Sequence, residues 1–202
     1  MRGSARVPEQ VDRRNIAFVP KMFANDRYND CPVASLANHR RATAMMHGYD
    51  WVTDNDAVVT YFAQCAGVLN LDAILTTVPG LVALDVADRA RTLGFAMGGQ
   101  VPEVVADIFA VNVTDRENVA SAIAQGPMWA GIDLYAGDED DGVAKTAEPQ
   151  GSPVSGHMLL AWTYFGLGDE DVVYLPTYDT TWVVNWRWFM SRLREAYSIA
   201  WA

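Results

Sequence analysis

The stretch Asn25-Asp26-Arg27-Tyr28-Asn29-Asp30-Cys31-Pro32-Val33-Ala34-Ser35-Leu36 constrains this chain more than any other. A polar, turn-forming run ends at a cysteine, and an apolar helical run begins at once. Pro32 suits the first position of a helix, where its missing N–H has no intrahelical partner to lose. A proline also pushes the residue before it out of the helical region. Cys31 is therefore expected at the N-cap, with its sulfur toward the free N–H groups of the first turn, whose partial positive charge favours the thiolate. That makes Cys31 a candidate nucleophile. An unpaired cysteine is otherwise a small hydrophobe, so chemistry at this position needs a partner.

His157 is the expected partner, because it follows Gly156 at the start of an apolar strand. An imidazole beside the sulfur holds the thiolate and later protonates the leaving group. A third group orients the imidazole, and hydrogen-bond donors hold the oxyanion. The backbone N–H of Cys31 offers one donor, which Pro32 does not remove. The side-chain amide of Asn25, six residues earlier, offers a second. His39 and His47 lie in the helix after Cys31 and are expected at its surface or its cap.

Residues 1–20 carry Arg2, Arg6, Arg13 and Arg14 with little apolar periodicity and read as an extended arm; residues 21–202 read as one domain. A helix is expected from Pro32 to His47, with Val33, Leu36, Ala37 and Ala44 on one face and Arg40 and Arg41 in solvent. A second is expected from Thr53 or Asp54 to about Ala66, with Cys65 in the core. Residues 67–80 are ambiguous and include a turn at Pro79-Gly80. Val82, Val86, Ala90 and Leu93 mark a third helix. The period then changes: Val104 to Val113 reads as a strand, Thr114 to Glu117 as a capping box opening a helix to about Gln125, and Met128 to Tyr135 as a strand. Ala136 to Ser155 reads as a long solvated loop whose acidic run, Asp138 to Asp141, only partly matches a calcium-loop spacing. Strands follow over His157 to Phe165, Val172 to Thr177 and Trp182 to Val184. Asn185 caps a short helix from Trp186 to Glu195, and Tyr197 to Trp201 is a closing strand. Helices first and antiparallel strands second indicate an α+β domain.

The charge narrows the function classes. With 15 basic and 25 acidic residues the net charge is -10, which argues against nucleic acid as a partner. No apolar run approaches the roughly 20 residues that cross a bilayer, and residues 1–20 do not read as a secretory signal. Two cysteines make no disulfide framework. Three histidines far apart offer no metal cluster, and no glycine-rich phosphate loop is present, so neither a metal nor another cofactor is expected.

The order of these motifs resembles the papain-like cysteine peptidase fold. There a glutamine lies six residues before a helix-capping cysteine, a Gly-His opens a late strand, and an orienting Asn follows on the next strand; Asn25, Cys31 and His157 occupy the first three of those positions. The resemblance is closer to papain-like proteins encoded by tailed phages and actinobacteria, which share Met-Tyr-x-Asn-Asp-x-x-Gly-Asp-Cys, a late Gly-Gly-His and a terminal Glu-Ala-Tyr. This chain has Met22 to Cys31, Ser155-Gly156-His157 and Glu195-Ala196-Tyr197. The resemblance implies an N-terminal helical half packed on a C-terminal antiparallel half-barrel, and a Cys–His hydrolase of peptide or amide bonds. Members carry Thr-Trp-Gly where this chain has Thr177-Tyr178-Asp179, so the orienter is Thr177 by alignment or Asp179 by charge, and the shielding tryptophan is missing from its place. The group also implies a component of a phage virion made in a bacterial cytoplasm, with other subunits as partners. A catalytically weak structural protein of a capsid or tail, or a binding module that reuses the cleft, are the competing readings. On the assembly reading, the arm and the loop 136–155 are expected to contact other chains.

Overall fold

The computed structural model describes residues 6–68, 80–95, 103–138, 149 and 151–202. Its centre is helix α2 (Cys31–Met46), preceded by the single-turn α1 (Asn25–Tyr28). One buried face is expected for α2; instead every residue from Pro32 to Arg40 is buried, with Ala42 and Ala44 beyond. A helix wrapped on all sides must satisfy its polar side chains internally. Ser35 Oγ accepts from Trp129 Nε1 (2.7 Å) and donates to the Cys31 carbonyl oxygen (2.6 Å). Asn38 accepts from the Lys21 N–H (2.9 Å) and donates to the Lys21 carbonyl (2.8 Å). His39 is not at the surface: it is 1% exposed, its Nδ1 accepts from Trp201 Nε1 (3.1 Å), and its Nε2 therefore carries the proton given to the Pro127 carbonyl (2.8 Å). Burial pushes its pKa down to about 4. Arg40, expected in solvent, is buried and paired with Glu103. His47 is the C-cap of α2, as read from the sequence.

Helix α3 (Asn55–Ala66) starts at Asp54, whose carboxylate accepts from the Ala57 N–H, and α4 (Ala83–Leu93) turns Val86, Ala87 and Ala90 inward. Cys65, at the end of α3, is half-buried against the core. The capping box at Thr114 does not form. Asp115 is the cap of α5 (Arg116–Gln125) and accepts from the Glu117 and Asn118 N–H groups, because a carboxylate one residue nearer competes successfully with the Thr114 hydroxyl. Asn185 caps α6 (Trp186–Arg192) through the Trp188 N–H.

The strands are β1 (Gln10–Val11), β2 (Val105–Ala110), β3 (Met128–Leu134), β4 (Ser155–Ala161), β5 (Thr163–Phe165), β6 (Val172–Thr177), β7 (Thr180–Asn185) and β8 (Leu193–Trp201). They form two antiparallel sheets, ordered β2-β8-β3-β4 and β1-β5-β6-β7. The single apolar run read from His157 to Phe165 is divided at Trp162 and passes from one sheet to the other. One face of β3 and β4 (Trp129, Met158, Leu160) packs on α2, while the other (Ala130, Ile132, Leu159) closes a second core under α5 and α6.

From residue 6 onward the arm lies on its own domain: β1 pairs with β5, and Tyr164 donates to the Pro8 carbonyl (2.7 Å). Arg13 is buried and caps carbonyls that would otherwise be orphaned, donating to Trp162 O (2.5 Å), Ile123 O (2.7 Å) and Ala124 O (3.1 Å). The latter two belong to the C-terminal turn of α5, where a cation also meets the helix dipole. Asp138, the first residue of the acidic run, is anchored internally as well. Asp138 takes both its oxygens to Arg192 (2.9 Å each) in a buried pair. The remainder of the acidic run, residues 139–141, and the Pro79-Gly80 turn at Pro79 lie outside the described residues. Arg13→Ala is expected to cost about 2–3 kcal/mol, since it strips a charged donor from buried carbonyls. Urea denaturation measures it, and a midpoint equal to that of the unaltered chain would show that the arm is not part of the fold.

Candidate active site

Cys31 sits at the floor of a cleft of about 1450 Å³ where α1, the start of α2, β3, β4 and the β6–β7 hairpin meet. It is the first residue of α2, and the N-cap is Asp30, one residue earlier than expected. The Val33 and Ala34 N–H groups both end on the Asp30 carbonyl (2.8 and 3.0 Å), and Pro32 has none to give. The positive end of the helix is therefore largely spent before it meets the sulfur. The expected lowering of the thiol does not follow. Burial pushes Cys31 up to about 11; a backbone hydrogen bond from Met158, the Tyr178 hydroxyl and its own N–H pull the other way, while the Asp30 carboxyl adds to the rise.

His157 stands on β4 opposite Ile132 and lines the same cleft. Its Nε2 is hydrogen-bonded to Thr177 Oγ1 at 2.8 Å. Thr177 is buried at the end of β6, so this bond fixes the ring and leaves Nδ1 as the other titrating atom. Burial pushes His157 down to about 4. With sulfur high and imidazole low, the resting proton stays on the sulfur and both groups are neutral.

Asp179 does not orient His157. It occupies the two-residue turn between Thr177 and Thr180, at φ 53°, and its Oδ1 accepts from the Met22 N–H (3.1 Å). Thr177 alone of the two candidates holds the ring. Two aromatic neighbours were not read as site residues from the sequence. Trp182, on β7, packs its ring 5.9 Å from His157, so a tryptophan meets the imidazole from another strand although Tyr178 holds its place in the motif. Tyr178 meets the His157 ring edge-on at 4.7 Å, and its hydroxyl donates to the Met158 carbonyl (3.1 Å). The signal for both was the aromatic density around Thr177-Tyr178-Asp179.

Asn25 lines the cleft beside Cys31, and its Oδ1 is buried without a hydrogen-bond partner. Among the described residues, the non-glycine positive-φ positions are Phe23 (52°), Ala24 (63°), Asn29 (53°) and Asp179 (53°). All four lie in the two segments that flank the sulfur and the imidazole. Strain of this kind persists where surrounding structure over-determines it, and here the Met22–Asp179 bond ties the two segments together.

No protein-family model matches the sequence, and no curated protein is significantly similar to it. The fold does have counterparts among solved structures. Xylellain, a cysteine protease from Xylella fastidiosa, superposes with a TM-score of 0.68 over 96% of this chain and 86% of its own, at 13% identity. A digestive procathepsin L 3 of Tenebrio molitor larval midgut gives 0.63 over 98% and 71%, at 14% identity. The proform of the Amb a 11 cysteine protease, a ragweed pollen allergen, gives 0.64 over 98% and 67%, at 13% identity. The chain has the papain-like cysteine protease fold.

Asp30 carries a testable consequence. Its carboxyl is fully buried, neither oxygen has a partner, and burial, with Asp26 adding, pushes its pKa from 3.8 to about 7. The native state thus binds this proton more tightly than the unfolded one. The associated stability is full below about pH 4 and is lost as pH rises toward 7. Asp30→Asn is expected to gain about 2–4 kcal/mol over the unaltered chain at pH 8 and nearly nothing at pH 4. Urea titrations at the two pH values check it; a difference independent of pH would contradict the assignment.

Proposed function

We propose that this chain is a thiol hydrolase that cleaves a peptide or related amide bond through Cys31. The observation that carries the reading is the His157 Nε2–Thr177 Oγ1 bond of 2.8 Å in the cleft that Cys31 and Asn25 also line. A ring fixed through Nε2 offers Nδ1 to take the thiol proton. The thiolate adds to the carbonyl carbon, and the resulting oxyanion takes hydrogen bonds from the Cys31 N–H and the Asn25 amide. The imidazolium returns its proton to the leaving nitrogen, and water then cleaves the thioester. The lining carries Asp26, Asp133 and Glu195 against Arg194, which is itself paired with Asp133 (3.4 Å). That balance favours substrates with a cationic side chain.

Two further readings remain as proposals. The neutral thiol and imidazole favour a slow or silent site in a papain-fold structural protein. Membership of a phage particle rests on the resemblance carried by Met22 to Cys31, Ser155-Gly156-His157 and Glu195-Ala196-Tyr197, to which the described part of the arm, packed on its own domain, adds nothing; mass spectrometry of purified particles tests it.

The hydrolase reading is tested with a fluorogenic peptide library rich in lysine and arginine. Cys31→Ala and His157→Ala are expected to abolish cleavage. Asn25→Ala is expected to lower kcat about a hundredfold, the typical loss of one oxyanion donor. Cleavage that survives Cys31→Ala would refute the mechanism.

A further inference from the structure

Arg40 has one more nitrogen than the fold uses. Its Nε and Nη2 are both spent on the Glu103 carboxylate, the second at 2.7 Å. The residue is only 4% exposed, and its Nη1 is buried with no hydrogen-bond partner. Leaving a charged donor unmet in such a place is costly, and folded chains usually satisfy it. The guanidinium lines a pocket of about 450 Å³, and Glu103 is not one of its walls. The edge that Arg40 turns to the pocket is therefore the one that carries Nη1.

The pocket lies toward the end of α2 remote from Cys31 and shares no lining residue with the cleft. Its walls include three aromatic rings, Tyr49, Phe109 and Trp201, and the aliphatic chains of Met46 and Ile199. The Arg40 Cζ stands 5.4 Å from the Tyr49 ring and 5.6 Å from the Trp201 ring, so the cation is held between the walls. Tyr49 is 48% exposed and Phe109 57%. Open rings around a single buried donor are the usual make-up of a small-molecule pocket.

We propose that this pocket binds an uncharged molecule with an aromatic body and a carbonyl oxygen, the body against the three rings and the oxygen on Arg40 Nη1. The proposal goes beyond the hydrolase reading and does not depend on it.

The charges decide between a neutral acceptor and an anion. Burial lowers the Arg40 pKa, but Glu103 and Tyr49 more than restore it, so the guanidinium is charged and Glu103 already balances it. The end of α5 also lines the pocket, and Arg13 answers its carbonyls from inside. The C-terminal turn of α2 lines it too and contains no basic residue. Helix C-termini carry partial negative charge. Exposed His47, the C-cap, is the one other basic side chain among the described wall residues. Ala202 reaches the wall with its N–H on the Val104 carbonyl (2.9 Å) and gives Nη1 no acceptor. An anion would gain one N–H and face the open end of α2. A carbonyl gains the same N–H without that repulsion, and a hydrocarbon leaves the donor unmet.

The test titrates the full chain with 3-phenylpropionamide, 3-phenylpropionate and 3-phenylpropylamine, which share one body and differ in the acceptor. Binding is read by NMR on the Arg40 Nε–H and Trp201 Nε1–H signals. The amide is expected to saturate both signals and to bind about tenfold more tightly than either charged probe, the effect of one hydrogen bond from a charged donor. An acid that binds as tightly as the amide overturns the proposal. So do shifts confined to the Cys31 cleft, or no saturation by about 10 mM. Arg40→Lys keeps a cation for Glu103 and removes Nη1; it is expected to erase the preference for the amide, and an unchanged preference overturns the proposal. Should that variant misfold, Gly126→Leu serves in its place. Gly126 lines the pocket with an extended backbone (φ 177°), and a Cβ built there meets nothing within 4 Å. The leucine is expected to crowd the pocket and weaken amide binding about tenfold; unchanged affinity overturns the proposal.

Discussion

Desolvation at the N-terminal end of α2 governs the chemistry of this protein. The helix is enclosed by β3, β4, α3 and α4, and its first turn carries the groups that matter into the same enclosure. Each responds as burial dictates: the Cys31 thiol rises, the His157 imidazole falls, and the Asp30 carboxyl rises. Charge is expensive in such a place unless it is paired and hydrogen-bonded. The same low dielectric strengthens any ion pair once it forms. Any charge formed there therefore depends on partners close at hand.

The enclosure has to be held against its own strain. Two segments with positive-φ residues meet over the sulfur, the loop before Cys31 and the tip of the β6–β7 hairpin. Neither is regular, and each is fixed by something rigid. Trp129 and Ser35 join α2 to β3, Asn38 grips the backbone at Lys21, and Asp179 ties the hairpin tip to Met22. Gly131 belongs to this frame too. A Cβ there would lie 2.7 Å from Glu195 Cγ and 2.9 Å from Met158 Sδ, so only glycine lets β8 and β4 both crowd that face of β3.

The sequence made the elements legible, and with them the two residues that line one cleft, Cys31 and His157, because both rest on local signals: a proline after a cysteine, a glycine before a histidine, changes of hydrophobic period. It misled where burial was decided at long range. His39 and Arg40 look like surface residues on a helix with one apolar face, but strands β3 and β8 and the loop at Glu103 close over them. Arg13 and Asp138 look like free charges for the same reason, and each finds a partner more than fifty residues away. The thiol followed the same pattern. The helix-dipole argument was sound locally, but the Val33 and Ala34 N–H groups are taken by the Asp30 carbonyl, Pro32 has none, and burial outweighs what the Cys31 N–H offers.

The choice between Thr177 and Asp179 shows why the site stays neutral. A carboxylate against Nε2 would hold an imidazolium, draw the proton from the sulfur, and place two charges beside the buried Asp30. The chain gives that position to a neutral hydroxyl and uses Asp179, two residues on, as a backbone acceptor for Met22. Orientation and loop anchoring are thereby separated, and the charge that would have favoured the ion pair is moved to the rim of the hairpin. What stabilises the thiolate must then come from groups that donate without carrying charge: the Met158 backbone, the Cys31 N–H and the Tyr178 hydroxyl. Such donors cost little to bury when partnered, so the fold keeps its enclosed helix terminus and still leaves the sulfur a route to ionise.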